Sequence, residues 1–256
     1  MIFIVFEIWW FFLRASDATP ARIIETDTLP APEETLPEEV PVTEQPVAEP
    51  TVSPALLSYE RIETITLTSA QPTEVLSQLS RLFATPHELD TLYRVVLLVQ
   101  ESGASRQTTY EELLRAFAIT IPPTVQGQLS STADLFFLGP STFDEATCKS
   151  AGASGADCSG PRLGLAVQTA GNTALESSLR SWEGTMIQNL KGLIRASIQD
   201  SNAPFQSGSY RGISLRYKNL PLDTTSIDYA VTGDLLIITT SKSSMFSALE
   251  HLSSME

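Results

Sequence analysis

Alternation and helical spacing of apolar positions divide the chain beyond residue 58 into a readable succession of elements. In residues 62–68 (IETITLT), Ile65 and Leu67 recur at every second position, which predicts a strand with those two side chains inward. Val75, Leu76, Leu79, Leu82 and Phe83 fall at helical spacing after Pro72, a residue tolerated in a first helical turn, so a helix is predicted over 72–83. Residues 92–100 (LYRVVLLVQ) form a nearly continuous apolar run of strand length, as a strand covered on both faces requires. Thr108 and Thr109 stand three residues before Glu111 and Glu112, a capping box for a helix over 110–117 that Pro122 and Pro123 end. Residues 133–138 (ADLFFL) predict a third strand.

The scheme resumes at 162–168 (RLGLAVQ), another strand, and Thr173 with Glu176 opens a long helix over 173–198. Its apolar stripe is Leu175, Leu179, Trp182, Met186, Leu190, Leu193 and Ile194, opposite Arg180, Lys191 and Arg195. Gly184 and Gly192 each weaken such a helix by about 1 kcal/mol relative to Ala, which points to close packing against a neighbour. In 210–218, Ile213, Leu215 and Tyr217 alternate with Ser214, Arg216 and Lys218, the pattern of an antiparallel strand buried on one face. Ile227, Tyr229 and Val231 repeat the alternation, Gly233-Asp234 supplies a two-residue turn, and 235–240 returns. Ser241 or Ser243 then caps a terminal helix bearing Met245, Phe246, Leu249 and Leu252. The expected fold class is α+β, with antiparallel sheets packed by helices. The body divides into two candidate lobes, 59–140 and 162–256, joined by a loop over 141–161, without a residue-level repeat.

Ahead of this body the pattern changes twice. Residues 1–13 (MIFIVFEIWWFFL) are apolar except for Glu7. The run suits lipid, with Trp9 and Trp10 toward an interface and Arg14 at its boundary, but a spanning helix needs about 20 residues. It lacks the basic start and small-residue cleavage site of a signal peptide and reads as part of a longer anchor. Residues 15–58 form the linker: eight of the chain's 16 prolines fall between Asp17 and Pro54, together with nine acids against the single base Arg22. Such a stretch stays solvated and semi-extended. It accounts for more than half of the net charge of -14, leaving a mildly acidic body with scattered lysines. Nucleic acid is therefore not an expected partner, since phosphates demand clustered Lys and Arg.

Three segments carry a resemblance: Trp182-Glu183, residues 210–221 (YRGISLRYKNLP) and residues 226–245 (SIDYAVTGDLLIITTSKSSM). Together they resemble uncharacterised membrane-anchored, extracytoplasmic α+β proteins of candidate-phylum bacteria, a domain of unknown function. The resemblance implies an N-terminal transmembrane helix and a proline-rich spacer before the domain, with no catalytic residues to carry over.

Chemistry is sparse in the sequence. It holds no G-x-S-x-G elbow, Walker loop, G-x-G-x-x-G or H-E-x-x-H motif. His87 and His251 read as edge residues, and Ser241 beside Lys242 makes a poor dyad because neighbours at a strand end point to opposite sides. Asp223-Thr224-Thr225 lacks the glycine of an aspartic-protease signature. Asp223, Asp228 and Asp234 could gather at one end of the last hairpin, where turn formation explains acidic residues without a metal. Cys148 and Cys158, nine residues apart in a loop of small residues, are too few for zinc. In an oxidising compartment they suit a disulfide, with two free thiols as the alternative. The reading is a non-enzymatic binding or structural module with no cofactor and no catalytic or metal site. It is held at the cell membrane through its N-terminus by a single-pass anchor, with an extracytoplasmic body facing a protein or cell-envelope partner. An envelope-associated hydrolase with an unidentified Ser or Asp is the alternative.

Overall fold

Backbone hydrogen bonding joins the predicted strands of both lobes into one mixed sheet. The computed structural model describes residues 51–101, 104–140, 162–170, 174–194, 203–221 and 224–252. The apolar run, most of the linker, the loop with Cys148 and Cys158, Thr173 and Asp223 lie outside the described residues. Among the described residues the strands are β1 (Arg61–Leu67), β2 (Leu92–Glu101), β3 (Ala104–Gln107), β4 (Leu129–Leu138), β5 (Arg162–Thr169), β6 (Gln206–Tyr210), β7 (Ile213–Asn219), β8 (Ser226–Thr232) and β9 (Leu235–Thr239). Their order across the sheet is β1-β2-β4-β5-β9-β8-β7-β6, with β3 added to β2. The helices are α1 (Pro72–Ala84), α2 (Tyr110–Ala116), α3 (Pro123–Gln126), α4 (Leu175–Asn189), α5 (Lys191–Ile194) and α6 (Lys242–Glu250).

The α+β class is the one expected. The division into two lobes does not appear in the sheet: β4 pairs with β5, and β5 with β9. Separate lobes would leave β4 and β5 each with a buried row of unpaired amides and carbonyls, and pairing removes that cost. Connection α1 makes β1 and β2 parallel, whereas the remaining pairs are antiparallel.

Each face of the sheet has its own core. Tyr93, Val95, Leu135, Phe137, Leu163, Leu165, Leu236 and Ile238 meet the apolar stripes of α1, α2 and α4 on one face. Leu92, Phe136, Leu138, Ala166, Ala230 and Ile237 meet Met245, Ala248 and Leu249 of α6 on the other. Coverage from both sides explains why the central strands lack alternation.

Three local departures have identifiable causes. The long helix predicted over 173–198 breaks at Leu190, and the chain continues as α5. There the Trp182 indole donates to Asn189 Oδ1 at 3.1 Å, and Thr120 N donates to the Asn189 carbonyl. A Cβ at Gly192 would lie 1.6 Å from the Phe117 carbonyl oxygen, so glycine there permits close approach, but the space around Gly184 is open. The strand predicted over 210–218 begins only after Arg211 and Gly212, whose φ values of 49° and 83° turn β6 into β7. Finally, residues 51–58, assigned by composition to the linker, lie against the α6 face of the sheet. Leu57 is buried there and Ser58 N donates to the His251 carbonyl.

Candidate functional site: a cleft at Asp228

Strand β8 presents Ile227 and Tyr229 to the larger core, so strict alternation turns Asp228 toward the α6 face. In register beside it stand Tyr217 of β7 and Thr239 of β9. Helix α6 is held over this face by Ser241, whose side chain accepts from Ser244 N at 3.1 Å as the N-cap. Lys242, the first helical residue, and Phe246, one turn on, project beside Asp228 and complete a cleft of about 300 Å³ with Gly208, Ser209, Tyr217 and Asn219.

Asp228 is only 1% exposed, and its Oδ1 has no hydrogen-bond partner among the described residues. The two flanking hydroxyls are engaged elsewhere. Thr239 Oγ1 donates to the Ser241 carbonyl at 3.1 Å, and the Tyr217 hydroxyl donates to Gln206 Oε1 at 2.8 Å. Burial pushes the Asp228 carboxyl up to about 7, against the opposing pull of the Ser226 hydroxyl and the Lys242 charge.

Two ion pairs on the sheet are arranged differently. Arg94 donates from Nε and Nη2 to Asp134 Oδ1 at 2.9 and 2.6 Å, while Asp134 Oδ2 accepts from Leu56 N and the Tyr59 hydroxyl. Arg94 Nη2 also donates to the carbonyls of Ser53 and Pro54. Burial, with the Asp134 charge, raises the Tyr59 hydroxyl well above its usual range. On the opposite face Glu183 takes a two-pronged contact from Arg216 at 2.8 and 2.7 Å and a third from the Tyr229 hydroxyl at 2.7 Å. Burial would raise the Glu183 carboxyl, but these donors outweigh it and hold it below the usual range. Both oxygens of Asp134 and both of Glu183 are engaged, so Asp228 stands apart from these two carboxylates.

The residues singled out from the sequence scatter. His87 bonds the Leu82 carbonyl through Nε2 and packs on Tyr93 and Phe137, while His251 bonds the Ser247 carbonyl through Nδ1. Asp234 sits in the β8–β9 turn beside the Thr232–Leu235 pair, at the opposite end of the ladder from the Asp228–Thr239 pair, so these two carboxylates do not gather. Ser241 is a buried cap, and Lys242 points away from it into the cleft. Among the described residues no group of three metal-ligating side chains occurs, and no helix is long and apolar enough to cross a membrane. Asp228 was legible as an acidic residue inside an alternating strand, but the alternation assigns it to a solvated face, and only the arrival of α6 buries it. Comparison of the chain with protein-family models, with curated proteins and with solved structures found no match.

Proposed function

We propose that the protein is a membrane-tethered, extracytoplasmic, non-enzymatic binding module whose cleft at Asp228 receives a small polar ligand. One observation carries the reading: Asp228, a buried carboxylate, lines a cleft and has one oxygen without a hydrogen-bond partner among the described residues, while both oxygens of Asp134 and of Glu183 are engaged. An unmet buried acceptor costs about 1–3 kcal/mol, an expense that a fold retains where the acceptor has a partner to meet. The apolar run at residues 1–13 and the acidic linker supply the tether in this reading. The linker's end at residues 53–56 is clamped by Arg94 and Asp134 on the same sheet face as the cleft, with β5 and β9 between the two.

The test is a thermal-shift screen of the full chain against fractionated small-molecule extract from the native cell envelope. At least one fraction should raise the melting temperature of the wild type and leave Asp228→Asn unmoved; no active fraction would reject the cleft. Mass analysis of the recovered ligand separates binding from hydrolysis, since a binding module returns it unchanged. Protease shaving of intact cells addresses placement: an outward body is digested before the membrane is opened.

A hydrolase would draw on the same carboxyl, poised near neutrality, as a general acid or base. Ser209 is the hydroxyl nucleophile that the cleft offers it, on an edge strand without a neighbouring imidazole among the described residues. Binding is therefore the favoured reading.

A further inference from the structure

We infer that the occupant of the Asp228 cleft is a neutral saccharide unit that gives a hydroxyl hydrogen to Asp228 and sets its apolar face on Tyr217, an inference that rests on the cleft being a binding site. The charges around the cleft select against ions. Asp228 lines it and Lys242 stands beside it, so once Asp228 is ionised an anion meets the carboxylate and a cation meets the ammonium at short range. A neutral ligand that carries donors and acceptors side by side avoids both penalties. Vicinal hydroxyls do so: one donates to Asp228 Oδ1, and its neighbour accepts from Lys242 or from the Asn219 amide.

The aromatic walls narrow the class further. Phe246 is stacked on Tyr210 with ring centroids 3.9 Å apart, and Lys242 Nζ lies 5.2 Å from the Phe246 centroid. Its π faces are thus already engaged, and a flat heteroaromatic ligand would find no second ring to sandwich it. Tyr217 remains as a single platform. Its hydroxyl is anchored on Gln206. A pyranose needs one aromatic surface for its C–H face and polar groups around its rim, which is the arrangement present. The Phe246 wall is also preorganised: the Tyr210 hydroxyl donates to Glu250, fixing the ring on which Phe246 stacks.

Saturation-transfer NMR and calorimetry on the full chain test this, with methyl glucoside, galactoside and mannoside, N-acetylglucosamine and its disaccharide as neutral probes. Glucosamine and glucuronic acid serve as charged controls. At least one neutral probe should bind, at least tenfold tighter than either control. Asp228→Asn should weaken it more than tenfold without lowering the melting temperature, and Tyr217→Ala should weaken it while Tyr217→Phe retains it. Absence of binding by all the neutral probes, equal binding of the controls, or unchanged affinity in Asp228→Asn overturns the inference. If envelope fractions still shift the wild type and not Asp228→Asn while no saccharide binds, the saccharide class fails and the cleft survives. If neither responds, both fail.

Discussion

Asp228 couples pH to stability in a direction opposite to that of an ordinary paired carboxylate. Unfolded, its carboxyl titrates near 3.9; folded, burial holds it at about 7. Between these values the native state keeps a proton that the unfolded state has released. Stability therefore falls as pH rises from about 4 to about 7, and the loss is complete above that window. Asp228→Asn removes the ionisation. Its melting temperature should match the wild type near pH 4 and exceed it increasingly up to pH 8, by an equivalent on the order of 2–4 kcal/mol. A constant difference across that range would contradict the assignment. Asp134 behaves in the opposite way: Asp134→Ala leaves the Arg94 guanidinium buried without its counter-ion, and chemical denaturation should register a loss of roughly 3–5 kcal/mol. The sequence discloses both aspartates as polar residues within apolar strands. It does not disclose that one has an arginine two strand positions away in space and the other has an empty acceptor, because cross-strand register and overlying helices decide those partners.

Among the elements, the capping box of α2 was legible to the residue: the Thr109 side chain accepts from Glu112 N, and Glu112 Oε2 accepts from Thr109 N. Local chemistry of this kind needs only neighbours three positions apart, which the sequence states directly. Thr109→Ala should cost about 1 kcal/mol by denaturant titration. The two glycines of the predicted long helix show the limit of such reasoning. Both look alike in sequence, yet Gly192→Ala forces a methyl into the Phe117 carbonyl and should destabilise by about 3 kcal/mol or more. Gly184→Ala has open space around it and should stabilise by up to about 1 kcal/mol. Equal effects at both sites would show that α5 does not approach Phe117. Strands β3 and β6 escaped the sequence pattern because ASRQ and QSGSY are polar and small. What makes them strands is pairing with a neighbour, not an apolar face of their own.

For the whole molecule, residues 51–58 belong to the fold although composition assigns them to the linker. Pro54 continues the proline pattern that precedes it, so composition places them with the linker; Arg94 captures their carbonyls because its own hydrogen bonds must be completed inside the sheet. In the tether reading proposed above, deleting residues 1–50 should leave the melting temperature unchanged within about a degree. Deleting residues 1–58 removes Leu57 from the α6 face and two acceptors from Arg94, and should cost roughly 3 kcal/mol or more. Equal stability of the two truncations would refute the clamp.

Local sequence by itself determined the α+β composition, the greater part of the strands and helices, the α2 cap and the β8–β9 turn. These follow from spacing, capping and turn chemistry, which act over a few residues. Only the tertiary structure decided that two apparent lobes close into one sheet, that Leu190 ends α4, and that α6 folds over Asp228, beside a cleft, and leaves one of its oxygens without a partner among the described residues. Those outcomes depend on which distant strand satisfies which edge and which helix covers which face. That information resides in the packing of the whole chain, not in any short stretch of it.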